Sequence, residues 1–94
     1  MIFDWNEEKN NHLKNERGIG FERIILAIEE GHVHDVLEHP NKEKYKHQYI
    51  LLVEVDDYIY VVPAVKDKEC WFLKTIFPSR KYTDLFLPDR RRKK

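Results

Sequence analysis

Cysteine is nearly missing from this chain: Cys70 is the whole complement among 94 residues. No internal disulfide framework can staple the fold, and the composition suits a reducing compartment. Long apolar runs are missing as well. None approaches the length of a bilayer span and no signal-peptide pattern follows Met1, so the reading is a soluble, cytoplasmic protein with no membrane partner. Net charge is absent, since 17 Lys and Arg balance 17 Asp and Glu. No His-Glu-x-x-His helix occurs either, which leaves metal chemistry weakly supported and no cofactor implied. At this length there is room for one core, a single layer of helices on a sheet.

The zero net charge conceals a polarised chain. From Ser79 to Lys94 seven Lys or Arg stand against two acids, a balance of +5, so the first 78 residues carry −5. A basic end of this kind follows a nucleic-acid backbone, docks on an acidic partner, or simply keeps a terminus in solution.

The stretch from Trp71 to Lys81 organises the rest. Its aromatic and β-branched residues predict a strand over Cys70 to Phe77, stopped by Pro78, with Ser79 capping a short helix over Arg80 to Leu87. Arg80 and Lys81 then sit at a strand-to-helix junction, where amides and fixed cations converge on a phosphate; a solvated basic turn is the plainer alternative.

Toward the N-terminus, Ile2 and Phe3 suit a short edge strand or anchor, and Asp4 with Glu7 forms a capping-box pattern for a helix from Trp5 to about Glu16 with a thin apolar stripe. Gly18 is placed as its C-terminal residue. A second helix runs from Phe21 to about Glu30, with Phe21, Ile24, Ile25, Ala27 and Ile28 on one face and Gly31 closing it. Residues 32–47 hold four of the five histidines and read as a solvated loop anchored by Val36 and Leu37. Strands follow at Gln48 to Val55 and Tyr58 to Val65, joined by a tight Asp56-Asp57 turn; Pro63 calls for a bulge or an edge-facing amide.

The expected architecture is therefore α+β: two N-terminal helices packed on an antiparallel three- to four-stranded meander, then a short C-terminal helix. Residues 1–88 form one domain and 89–94 a basic tail. With one sheet face covered by helices, Tyr58, Tyr60, Trp71 and Phe72 are candidates for an exposed face and a homo-oligomer.

Both ends of the chain carry a family resemblance. Phe3-Asp4-Trp5-Asn6-Glu7-Glu8-Lys9-Asn10, followed by Gly18-Ile19-Gly20-Phe21-Glu22, resembles the opening of BrnT-type toxins: Phe-x-Trp-Asp-x-x-Lys-x, a first helix, Lys-His-Gly-Val and Phe-Glu. Ile76-Phe77-Pro78-Ser79-Arg80-Lys81 is similar to that family's closing strand and Ser-Ala-Arg-Lys corner. Order and spacing agree over nearly the whole chain. The resemblance implies a RelE-like ribonuclease fold acting as the toxin of a bacterial type II toxin–antitoxin pair, with RNA and a cognate antitoxin as partners. Arg17 stands where the family has His, and Ser79 where it has Ala.

Metal-free RNA cleavage needs a base for the 2′-hydroxyl, cations for the phosphorane and an acid for the leaving oxygen. Arg80 and Lys81 are the candidates for the phosphate, and Glu22, matching Phe-Glu, for the base or for a structural partner of an arginine. Lys9, Arg17 and Lys74, with Arg90, Arg91 and Arg92 of the tail, are candidate RNA contacts. Arg17 keeps a positive charge but cannot act as a base near neutral pH. His12 and His47 are spare proton carriers, and Trp5 is a packing anchor before it is a base-stacking surface. Two other readings stand beside the nuclease: a non-catalytic RNA- or protein-binding module, and a metal protein using His32 and His34.

Overall fold

The computed structural model describes residues 2–89. In chain order its elements are β1 (Ile2–Trp5), α1 (Glu7–Arg17), α2 (Phe21–Glu29), β2 (Val33–Glu38), β3 (Gln48–Val55), β4 (Tyr58–Asp67), β5 (Cys70–Leu73), β6 (Phe77–Pro78) and α3 (Arg80–Phe86). The strands form one sheet in the order β1-β5-β4-β3-β2, with β6 pairing β4. All pairings are antiparallel except β1 with β5, which run parallel and bring Phe3 beside Trp71. The α+β architecture read from the sequence is the one observed.

The sheet is larger than the expected three- to four-stranded meander. Residues 33–38, expected in a loop, form β2 and pair with β3, and a register shift between Val33 and Asp35 breaks the alternation that would have announced a strand. The expected single strand from Cys70 to Phe77 is two strands. Beyond Leu73 the chain leaves the ladder, with the Lys74 amide donating to the Pro63 carbonyl, and rejoins it where Phe77 meets Val61. Pro63 faces that gap, which is why a proline is tolerated in the middle of β4. Its carbonyl points to the β5 side, its nitrogen, which carries no hydrogen to donate, faces the same way, and its register with β3 is unbroken. No bulge is needed there.

The β3–β4 turn is as expected. Asp56 and Asp57 both take positive φ, 51° and 62°, the pattern of a type I′ hairpin turn.

Helix ends follow from capping chemistry. Asn6, rather than Asp4, caps α1: its side chain accepts from the Lys9 amide, while Asp4 belongs to β1 and accepts from the Trp5 amide. Gly18 ends α1 at φ 70°, its amide bonded to the Lys14 carbonyl. Ser79 caps α3 by accepting from the Tyr82 amide at 3.1 Å.

Two apolar layers flank the sheet. On one face Phe21, Ile24 and Ala27 of α2 and Leu13 of α1 bury themselves on Leu51, Val53, Val55, Val62, Ala64 and Leu73. Trp5 stacks on Phe21 with ring centres 5.8 Å apart, the packing role expected of it. Each fully buried side chain of this size contributes about 1.5–3 kcal/mol. On the other face Leu52, Ile59, Val61 and Leu87 form a second cluster with Tyr82 and Phe86 of α3 against it. That face is covered in part, with Phe72 still 37% exposed, while Tyr60 and Trp71 pack on the helix side. The buried Thr83 hydroxyl ties α3 down, accepting from the Ile59 amide at 2.8 Å and donating to the Ser79 carbonyl at 2.7 Å. Among the described residues no helix is long and apolar enough to cross a membrane.

Candidate functional site

The α1–α2 corner is built around one buried amide. Asn10 is fully buried, and its Oδ1 accepts from the Phe21 amide at 2.7 Å. Its Nδ2 donates to Glu7 at 3.1 Å and to Glu22 Oε2 at 2.9 Å. The same Glu22 oxygen accepts from Lys14 Nζ at 3.1 Å. Gly20 is needed beneath this arrangement, because a Cβ there would lie 2.5 Å from Lys14 Cε and 2.7 Å from Asn10 Oδ1. The backbone amide of Glu22 itself holds the Glu22 carboxyl below the ordinary carboxylate range, with Lys14 and Asn10 adding to that pull and partial burial opposing it.

Beside this corner lies an open cleft of about 610 Å³, between the α1–α2 turn and the end of the β3–β4 hairpin. Lys14, Gly18, Glu22, Arg23, Asp56 and Tyr60 are among its lining residues. Arg23 Nη2 lies 3.6 Å from Asp56 Oδ1, an ion pair too long for a hydrogen bond. Its Nη1 is buried with no hydrogen-bond partner among the described residues, a state that costs about 1–3 kcal/mol when nothing else offsets it. Burial, seconded by the charge of Asp56 and by Tyr58, raises the Tyr60 phenol above its ordinary value, so it stays protonated at neutral pH.

The second group of candidates lies on the adjoining corner. Tyr60 is the backbone register partner of Pro78, but Tyr60 packs on the α1–α2 face of the sheet and α3 on the other, where Arg80 and Lys81 are exposed in its first turn. Lys81 Nζ stands 5.6 Å from the Tyr82 ring centre, and no acid occupies that helix's first turn. Arg17 joins the two corners: its Nη1 donates to the Ile76 carbonyl, 59 positions away in sequence. Arg17 is thereby tied to the segment that leads into α3, while Arg80 and Lys81 do not line the cleft.

The remaining candidates scatter. Lys9 is half-buried on α1, and Lys74 lines a separate cavity of about 220 Å³ with His39 and Pro63. Arg90, Arg91 and Arg92 lie outside the described residues. His12 is engaged with Glu16 at 3.3 Å, and neither it nor His47 lines the cleft. His32 and His34 face different acids, Glu30 at 4.0 Å and Glu54 at 2.8 Å. Among the described residues no three His, Cys, Asp or Glu side chains converge on a point that could hold a metal ion.

Sequence reasoning missed Asn10, Lys14, Arg23 and Tyr60. Three of these are polar residues on helices that look solvated in one dimension, and Tyr60 reads as one aromatic in an apolar strand. Only the crossing of α1 over α2 and the β4–β6 pairing give them a common address.

No family model, no curated protein and no solved structure matches this chain.

Proposed function

We propose that the chain is the toxin of a bacterial type II toxin–antitoxin pair, a cytoplasmic, metal-independent ribonuclease that stops translation by cutting RNA and is held in check by a cognate antitoxin. The observation that carries the reading is the hydrogen bond from Arg17 to the Ile76 carbonyl. It draws together the two stretches that resemble the BrnT family, Gly18-Ile19-Gly20-Phe21-Glu22 and Ile76-Phe77-Pro78-Ser79-Arg80-Lys81. That one contact spans most of the chain, and it supports the two stretches serving one site.

In this reading Arg80 and Lys81 bind the scissile phosphate and stabilise the charge that grows on it. Their position supports this: two exposed cations in the first turn of a helix oppose the macrodipole, an arrangement that is unfavourable until an anion arrives. Arg17 is a positioning residue that fixes the β5–β6 break. Glu22 is the candidate base, although its carboxylate already serves Lys14 and Asn10.

That engagement of Glu22 favours a second reading, a non-catalytic RNA- or protein-binding module on the same corner. Inducible expression in bacteria of the wild type beside Arg80→Ala, with primer extension on total RNA, separates the two. Growth arrest and new RNA ends with the wild type only are expected from the nuclease. Salt-sensitive RNA binding with intact RNA and normal growth selects the binding module.

A further inference from the structure

We infer that the cleft between the α1–α2 turn and the β3–β4 hairpin is a second phosphate subsite, in which Arg23 receives a nucleotide phosphate and Asp56 is the internal carboxylate that the phosphate displaces. The inference deepens the ribonuclease reading and rests on it for its ligand class. It gives a second phosphate of the RNA chain a place apart from the Arg80 corner.

The size is right, since about 610 Å³ accommodates a nucleotide. The charge arrangement says where the phosphate goes. Lys14 is committed to Glu22 at 3.1 Å, so those two charges cancel. Arg23 is the cation with capacity to spare: one nitrogen is buried without a partner among the described residues, and the other faces Asp56 at 3.6 Å without forming a hydrogen bond. Asp56, 87% exposed on a two-residue turn and 3.6 Å away, leaves the paired hydrogen bonds of a guanidinium unmade, and a phosphate, with several acceptor oxygens, can make them once it takes the place of Asp56.

The amides at the start of α2 do not provide the site, because the Phe21 amide is taken by Asn10 and Glu22 is held by its own backbone. Two further features suit a nucleotide. Tyr60 lines the cleft as a phenol able to donate to a phosphate oxygen or a sugar hydroxyl. Gly18 leaves its side of the cleft open, with nothing within 4 Å of where a Cβ would stand. The register pairing of Tyr60 with Pro78 connects the strand that lines the cleft to the segment that leads into α3.

The test is a titration of the ¹⁵N-labelled full chain with adenosine 5′-monophosphate, and separately with inorganic phosphate, followed at the Gly18, Gly20 and Asp56 amides. The wild type is compared with Asp56→Asn and Arg23→Gln. Nucleotide is expected to shift those amides saturably, Asp56→Asn to bind about two- to fivefold more tightly, as removal of an exposed competing ion pair implies, and Arg23→Gln to lose saturation. Unchanged affinity in a folded Arg23→Gln protein overturns the inference, and so does unchanged or weaker binding by Asp56→Asn. The second variant decides even if the first fails to fold, because Asn tolerates the positive φ of an exposed turn. Equal affinity for inorganic phosphate and nucleotide overturns the nucleotide assignment. The titration reads the cleft without any cleavage, so an inactive corner and an empty cleft give different results.

Discussion

Asn10 Oδ1 and the Phe21 amide, 2.7 Å apart, form the hydrogen bond on which the α1–α2 corner turns. Asn10 is the only polar side chain of α1 that is fully buried, and Phe21 is the largest fully buried side chain of the core. One bond thus connects the polar corner to the apolar layer.

Truncation of that amide leaves the Phe21 N–H without its acceptor and Glu22 without one of its donors. Asn10→Ala is expected to lose about 1–3 kcal/mol in urea or guanidinium unfolding, with the slope unchanged. Asn10→Asp keeps the acceptor but sets a third carboxylate against Glu7 and Glu22, so its loss should be largest near neutral pH and shrink on acidification. A pH-independent deficit for Asn10→Asp would show that charge is not the cause.

Gly20→Ala puts a methyl group within 2.5 Å of Lys14 Cε and 2.7 Å of Asn10 Oδ1. The lysine can swing away, but Asn10 is held at both ends, so overpacking of about 1–3 kcal/mol is expected in thermal or chemical unfolding. Adding Lys14→Ala should recover only part of it. Full recovery would mean that Asn10 moves freely.

Arg80→Ala should separate stability from function. Removing a cation from the first turn of α3 relieves its opposition to the helix dipole, so the variant is expected to be as stable as the wild type or more so by about 0.3–1 kcal/mol, while the RNA binding proposed above weakens most at low salt. A clear loss of stability would instead assign Arg80 a structural role. The unfolding midpoint and an RNA-binding isotherm on the same preparation decide it.

The acid limb of stability reports on Glu22. Its carboxyl is depressed in the folded chain, chiefly by its own backbone amide. The stabilisation it brings is therefore complete above the ordinary carboxylate range and is lost as the pH falls through the lower folded value. Glu22→Gln should flatten stability against pH in that acid window and leave its shape above it unaltered. Identical acid limbs for the two proteins would remove Glu22 from the account.

Local chemistry was legible in the sequence wherever a residue acts through its immediate neighbours. Gly18 needs a left-handed backbone, Ser79 caps the helix that follows it, the Asp56-Asp57 pair makes a hairpin turn, and the apolar face of α2 repeats at helical spacing. Each of these depends on bonds within about four positions, and each stands where it was expected. The strand β2 did not, because its shifted register hides the period of two and its pairing energy comes from β3.

What the sequence by itself determined is the class of fold, two helices ahead of a hairpin and a capped third helix, because periodicity and turn chemistry are local. The tertiary structure alone decided the size of the sheet, the covering of both its faces, and the composition of the candidate site. Arg17 finds the Ile76 carbonyl, Lys14 finds Glu22 and Arg23 finds Asp56 only after the helices have crossed and the strands have paired. Those contacts are made by ends of long polar side chains, whose partners are set by where the apolar core places their backbones and not by their spacing along the chain.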